Sequence, residues 1–339
     1  MSSGRRGILT GGTWVVDYNR TVSHWPGEDG LAELFDEERH GGGSSCNLAL
    51  DIKLLDPTIP VETIGLVGDD DDGRYLLATA AAAGVDTRQM TVTGAAATQF
   101  CDAYVSMKSH RRTHIFHAGT GAFLTPDHFD FSTTRMRYLH LGLPGVHRIL
   151  DAPWHGEPNG WVAVLKKAQA AGLQTNLELA SIDRNLMARL VAPCLPHLDF
   201  LIVNDMEIGA IAGVETIRND VPDREACEQA ACIVLERGAL ELVAVHCPAF
   251  AIAVTRNGER AVLPSFKIPE AEVKGANGAG DAFAAGMLYG IHEGWSAERS
   301  LRLAHAAASA SLRSISTTGA IVSWRDCLSL AEAWGVRDD

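Results

Sequence analysis

The sequence predicts an α/β protein built on a mainly parallel central sheet. Short β-like apolar runs alternate with helix-like stretches, turn residues punctuate them at fairly even intervals, and no low-complexity linker or repeat of 20–50 residues divides the chain. The runs are Tyr138–Leu141 (ending at Gly142), Leu201–Val203 and Leu242–Val245. The helical patterns cover 160–171, 223–237 and 296–311. In parallel sheets ligands bind beyond the carboxyl ends of the strands. Asn204 and Glu207 follow one such end and are site candidates on that ground.

Composition narrows the function classes. The 339 residues are 46% hydrophobic and 21% charged, an ordinary globular balance. Lys plus Arg is 29 against 42 Asp plus Glu, a net charge of −13. That argues against a nucleic-acid binder and against an acidic membrane surface, both of which need clustered cations. No apolar stretch approaches the length of a membrane span, and Arg5 and Arg6 are not followed by a signal-like apolar run. Seven cysteines, without a C-x-x-C pair, suggest reduced thiols and a cytoplasmic setting. The thirteen histidines show no metal-ligand spacing.

The stretch 95–123 differs from its surroundings. Phe100, Tyr104, Met107 and His114–His117 sit among Thr, Ser, Lys and Arg. It reads as two β-segments around the polar turn 108–112, a small sheet outside the main layer. His114 and His117 are three apart on such a strand, so they face opposite sides and make a poor metal pair. Asp69–Asp72 lacks the alternation and distal Glu of a calcium loop and reads as a solvated turn. Cys46 and Cys101 have no base nearby in sequence and read as inert thiols.

The segment 275–290, GANGAGDAFAAGMLYG, carries the chemistry. Gly278, Ala279 and Gly280 are small residues before a helix expected to begin near Asp281. Small residues admit a ligand close to the backbone, and free amides at a helix start favour an anion. An Asp there can take the proton of a hydroxyl nucleophile. The plainer reading is an Asp N-cap after a glycine turn. No Walker A loop, G-x-G-x-x-G or G-x-S-x-G is present.

This segment resembles the C-terminal signature of the ribokinase-like (PfkB) carbohydrate kinases. Gly42-Gly43-Ser-Ser-Cys-Asn47-Leu-Ala49 is similar to the family's N-terminal G-G-x-x-x-N-x-A. Ile64–Gly68 with Asp70, Gly73 and Gly84–Asp86, then Asp17 before Pro26-Gly27, and Asn204–Glu207 as N-x-x-E, continue the pattern from about residue 8 to 325. The resemblance implies one three-layer α/β/α domain over 1–339. Its β-lid would come from about 14–40 and 95–123, with a homodimer through the lid as a further implication. It implies ATP and Mg²⁺ and transfer of the γ-phosphoryl group to a hydroxyl of a sugar or sugar derivative. Asp281 would be the base and Gly278, Ala279 and Gly280 the anion hole. Asp17, Gly42, Gly43 and Asn47 would bind the sugar. Asn204 and Glu207 would hold the phosphates and, through water, the magnesium ion. His246, Asn277 and His305 would border the nucleotide.

Three departures from the family pattern matter. Gly275-Ala276-Asn277 replaces the usual D-T-x, which puts a monovalent cation in doubt. His246–Ala251 replaces a T-L-G-x-x-G turn, and its Pro248 removes an amide donor. His305 stands where an Asn often lies near the adenine. Two rival readings follow: a non-catalytic binding relative, and a nucleoside kinase that stacks its base on Trp14, Phe100, Phe116 or Phe123. Arg111 and Arg112 could clamp an acidic substrate or simply face solvent.

Overall fold

The computed structural model describes residues 4–109 and 111–337. In chain order the first strands are β1 (Ile8–Gly12), β2 (Val15–Val22), β3 (Leu34–Gly42), β4 (Val61–Gly68), β5 (Asp86–Thr93), β6 (Phe100–Ser106), β7 (Arg112–His117) and β8 (Tyr138–Gly142). They are followed by β9 (Gln174–Leu177), β10 (Phe200–Asn204), β11 (Ile217–Arg218), β12 (Val221–Pro222), β13 (Leu242–His246), β14 (Phe250–Thr255) and β15 (Arg260–Pro264). The helices are α1 (Ser44–Leu55), α2 (Asp71–Ala82), α3 (Gly160–Ala170), α4 (Arg184–Val191), α5 (Asp205–Ala212), α6 (Arg224–Arg237), α7 (Ala279–His292), α8 (Ala297–Ser311) and α9 (Trp324–Trp334).

A nine-stranded sheet with the order β15-β14-β13-β10-β9-β8-β1-β4-β5 forms the middle layer. From β13 through β5 neighbouring strands run parallel, and β14 and β15 add an antiparallel edge. β1 and β8 are buried at every position because helices cover both faces of the sheet. One face packs on α1, α2, α7, α8 and α9, through Leu48, Leu76, Phe283, Leu301 and Cys327 among others. The other packs on α3 to α6, through Trp161, Met187, Ile208 and Ala230. These are the three layers that the family resemblance implies.

The second sheet, β3-β2-β6-β7, has four strands. β2 pairs antiparallel with β3, and β6 with β7, while β2 and β6 are parallel. β6 and β7 are the two segments expected around the turn 108–112, within which His110 lies outside the described residues. His114 and His117 do face opposite ways: His114 shares a face with Ala103, whereas His117 stacks on Phe100 at 4.8 Å.

One local expectation needs correction. α7 begins at Ala279, not near Asp281: Gly278 is its N-cap with φ +75°, and the Gly278 carbonyl accepts from the Ala282 amide. A Cβ at Gly278 would stand 2.5 Å from the Thr317 carbonyl oxygen, so only glycine fits. Asp281 is therefore inside the first turn and is not a cap. Within Asp69–Asp72, a solvated turn by its own pattern, Asp70 holds the structural place that the family resemblance gives it. Asp70 caps α2 by accepting from the Gly73 amide, and it accepts from the Thr98 amide and hydroxyl as well. Those three bonds hold the Asp70 carboxyl below its ordinary range despite burial.

Candidate active site

Because β1, β8, β9, β10 and β13 are parallel, their carboxyl ends share one edge of the sheet. That edge presents Thr13, Gly142, Glu178, Asn204 and His246. The amino ends of α1 and α7 meet there too. Gly43 (φ +85°) caps α1, and a Cβ on it would stand 2.7 Å from the Thr13 carbonyl oxygen.

Asp281 occupies the centre. The amide of Asn47 on α1 donates to Asp281 Oδ2 at 3.0 Å, and Asn47 Oδ1 in turn accepts from the Thr317 hydroxyl at 3.0 Å. Gly278 offers no side-chain cap, so the amides of Ala279 and Gly280 have no helical acceptor. Burial, with Glu178 adding to it, holds the Asp281 carboxyl well above the ordinary carboxylate range.

Toward the lid lies a cavity of about 520 Å³, bordered by Asn19, Arg112, His114, Lys274 and Asn277. Asp17, Asn19 and Thr21 share the lid face that carries Cys101, Ala103 and Val105, opposite which stand Phe116, His114 and Arg112. A side chain at Gly42 would collide with the Asp17 carboxylate, so glycine there makes room for it. Burial and then Asp281 push the Asp17 carboxyl up to about 7, while Arg112 and His40 oppose the rise. The Arg112 guanidinium has no hydrogen-bond or ion-pair partner among the described residues. Cys46 is fully buried, and burial pushes the Cys46 and Cys101 thiols up. That fits the inert role expected of them.

Away from the lid lies a cavity of about 370 Å³ bordered by Asn204, His246, Pro248, Ala279, Phe283 and His305. Two of the three residues expected at the nucleotide, His246 and His305, come together here, whereas Asn277 borders the lid cavity. Phe283 packs between them, its ring 4.6 Å from His246 and 5.6 Å from His305. Burial lowers both imidazoles to about 4, so both are neutral at pH 7. His305 Nδ1 is buried without a hydrogen-bond partner among the described residues. A Cβ on Gly280 would lie 3.6 Å from His246 Cε1, so the His246 ring sits beside the free amides of α7.

Asn204 and Glu207 form a reciprocal capping box on α5. Asn204 Oδ1 accepts from the Glu207 amide at 2.8 Å, and Glu207 Oε2 accepts from the Asn204 amide at 2.9 Å. This leaves one Glu207 oxygen outside the box. Burial pushes the Glu207 carboxyl up to about 7.

Sequence reasoning missed Glu178, His140 and Asp51. Glu178 follows β9, a four-residue strand too short to stand out by pattern, and its charge adds to the burial that raises the Asp281 carboxyl. His140 interrupts the apolar run Tyr138–Leu141, the one signal that could have flagged it. Its Nε2 lies 2.7 Å from Glu178 Oε2, within ion-pair distance but outside hydrogen-bond angles. Asp51, one helical turn beyond Asn47, is fully buried with both oxygens unpartnered among the described residues. Of the aromatic residues weighed for a nucleobase, Trp14 is buried and donates to the Thr63 hydroxyl, and Phe100 is taken up by His117.

The family model of the pfkB family carbohydrate kinases matches residues 7–324. An ATP-dependent ribose-1-phosphate kinase of Halopiger xanaduensis is 25% identical over 88% of this chain and 89% of its own. The adenosine kinase of Saccharomyces cerevisiae is 23% identical over 85% and 82%. The ribokinase of Arabidopsis thaliana, solved with ribose and ATP, superposes with a TM-score of 0.77 at 21% identity, covering 97% of this chain and 99% of that one. Ribokinase of Thermotoga maritima gives 0.76 at 18% identity over 96% and 99%. With the family match covering nearly the whole chain, the protein belongs to the pfkB family of carbohydrate kinases, phosphotransferases with a hydroxyl acceptor and a ribokinase-like fold.

Proposed function

We propose that the protein transfers the γ-phosphoryl group of ATP to a hydroxyl of a sugar or sugar derivative. One observation carries the reading: Asp281, held by Asn47, stands in the first turn of α7 beside the free amides of Ala279 and Gly280, which border the cavity of His246 and His305. The substrate lies beneath the lid between β2 and the start of α1, its hydroxyls held by Asp17 and Asn47 where Gly42 and Gly43 clear the space. Polyol hydroxyls both donate and accept, which suits a carboxylate beside an amide. Asp281 accepts the proton of the reacting hydroxyl as its oxygen bonds to phosphorus. The amides of Ala279 and Gly280, behind the Gly278 cap, stabilise the charge on the transferring group.

His246 and His305 border the base and phosphates of ATP, and Asn277 closes the lid side beside the anion hole. Glu207, with its spare oxygen and with Asn204, offers the hard oxygen set that suits a hydrated Mg²⁺, which would neutralise phosphate charge. Trp14 and Phe100 are occupied elsewhere, whereas Phe116 and Phe123 are exposed and remain the rings a nucleoside substrate would use. The lid's exposed Leu34, Phe35 and Ile115 would be covered in a homodimer through the lid, which sedimentation would reveal.

The test is ADP release with ATP and Mg²⁺ across pooled sugars, sugar phosphates, sugar acids and nucleosides. One active pool is expected, with Asp281→Asn lowering kcat by about 10²- to 10⁴-fold. Turnover unchanged in Asp281→Asn would remove the proposed base. A folded protein silent in every pool would favour a binding role.

A further inference from the structure

The cavity of about 520 Å³ beneath the lid adjoins the place where Asp17 meets the sugar hydroxyls. Asn19, on its border, follows Asp17 by two positions on the same face of β2, a step of about 7 Å. On the other side Asn277 borders the cavity and directly precedes Gly278, the cap of α7. A substituent on a sugar held at Asp17 therefore falls in this space.

Three polar groups border it unpaired. Arg112 is half-buried, and its guanidinium forms no hydrogen bond or ion pair among the described residues. Lys274, in the segment leading to α7, has its backbone amide fixed on the Leu312 carbonyl at 2.8 Å, and its ammonium is equally unpaired among the described residues. Asn19 is 8% exposed, and neither its Nδ2 nor its Oδ1 has a hydrogen-bond partner among the described residues. A buried amide with both ends unmet is costly, and so is a guanidinium withdrawn from water without a counter-ion. The acids on the border do not supply that counter-ion. Glu38 lies 2.9 Å from His40, and Asp36 accepts from the Glu37 amide. Both stand on β3, at the opposite edge of the lid sheet from Arg112 on β7. Arg20, a further cation on the border, is taken by Glu37 and Asp102.

We infer that this space receives an anionic group carried by the substrate, so that the acceptor is an acidic sugar derivative, a phosphate ester or a carboxylate. The inference rests on reading Asp17 and Asp281 as the sugar site. The guanidinium fork of Arg112 matches two oxygens of such a group, Lys274 adds a point charge, and Asn19 Nδ2 donates. A neutral sugar would leave all three unmet. In a chain of net charge −13, local cations of this kind are what draws an anion to the site. The anionic group takes no part in the phosphoryl transfer. It fixes which hydroxyl stands at Asp281.

The test compares sugar phosphates and sugar acids with their uncharged parent sugars, in wild type and in Arg112→Ala, Arg112→Lys and Lys274→Ala. Wild type should favour one acidic class over its parents by about 100-fold in kcat/KM, and the favoured class separates phosphate from carboxylate. Arg112→Ala should raise the KM for that substrate about 10- to 100-fold and leave the KM for ATP within about threefold. Arg112→Lys should recover part of the loss, because the charge remains without the fork. Lys274→Ala should lose about three- to fivefold, as befits an exposed cation. A preference for uncharged sugars, or a KM for the acidic substrate that Arg112→Ala leaves unchanged, would overturn the inference. Asp281→Asn keeps the two readings apart. If it abolishes turnover but only uncharged sugars are substrates, the inference alone fails. If it still turns over an acidic sugar, the reading of Asp281 is what fails. Calorimetry with inorganic phosphate and with acetate needs no substrate. Binding of one of them should weaken about tenfold in Arg112→Ala, and no difference between the two proteins would count against the inference even with every pool silent.

Discussion

The two sides of the α7 N-terminus are built from opposite chemistry. Toward the lid stand the acids Asp17, Glu178 and Asp281, with Asp51 behind them, every one of their carboxyls pushed up by burial. Toward the other cavity stand His246, His305 and Phe283, with both imidazoles held neutral. The acid side suits ligands that offer many hydroxyls, and it stores protons. The imidazole side suits a flat ring, and its two histidines bring no positive charge, which there comes from Arg337. Burial produces both conditions, since it disfavours the charged form of either group.

Breaking the imidazole side should cost most in stability. Phe283 is fully buried between the two rings, so Phe283→Ala should destabilise the fold by about 3–5 kcal/mol by thermal unfolding. It should also raise the KM for ATP more than the KM for the sugar. Equal effects on both would mean that the two sides are not separate.

The acid side can be broken alone. Gly42→Ala drives a methyl into the Asp17 carboxylate, an overpacking that costs about 1–3 kcal/mol. The KM for the sugar should rise at least tenfold while ATP binding, read by calorimetry, stays close to wild type. A variant that loses ATP binding instead would place Asp17 outside the sugar site.

The smallest effect sharpens the contrast through pH. Asp17, Glu178 and Glu207 have raised values, so the folded chain binds more protons than the unfolded one between about 4 and about 7. Their stabilising contribution is full below their ordinary range and declines as pH rises through that window. His140, His246 and His305 are lowered to about 4, so their contribution is present above the ordinary histidine value and is lost as pH falls toward 4. The slopes oppose one another, and Tm should change little from pH 5 to 6 before falling as pH passes from 6.5 through about 7. Asp17→Asn should tilt the plot of Tm against pH upward in that range and His246→Gln downward. Identical slopes in both variants would contradict the assigned charge states.

Much of this arrangement could be read before folding. The parallel core, the two β-segments near 100–117 and the small-residue helix after Gly278 all follow from local pattern, because burial on two faces and tight turns leave marks on neighbouring residues. Asp281, Asn47, Asp17, Asn204 and Glu207 stand in motifs whose glycines and spacing set them apart. Glu178 and Asp51 left no such mark. In the sequence they are two of 42 acidic residues, one after a very short strand and one on a helix where a charge would ordinarily face water. The start of α7 was misplaced because an Asp after glycines resembles a cap, whereas the cap is the glycine whose positive φ avoids the Thr317 carbonyl.

By itself the sequence determined the alternation of strands and helices and the glycines at the helix starts, since propensity, periodicity and backbone sterics act over a few residues, and its motifs implied the layers by resemblance. Only the tertiary structure decided which charges meet. Asn47 and Asp281 are 234 positions apart and share a hydrogen bond, and Glu178 reaches the same edge because parallel strands bring their carboxyl ends together. The gathering of acids at one edge, and the rise it brings to their carboxyls, depends on three-dimensional distance and on burial. Spacing along the chain encodes neither.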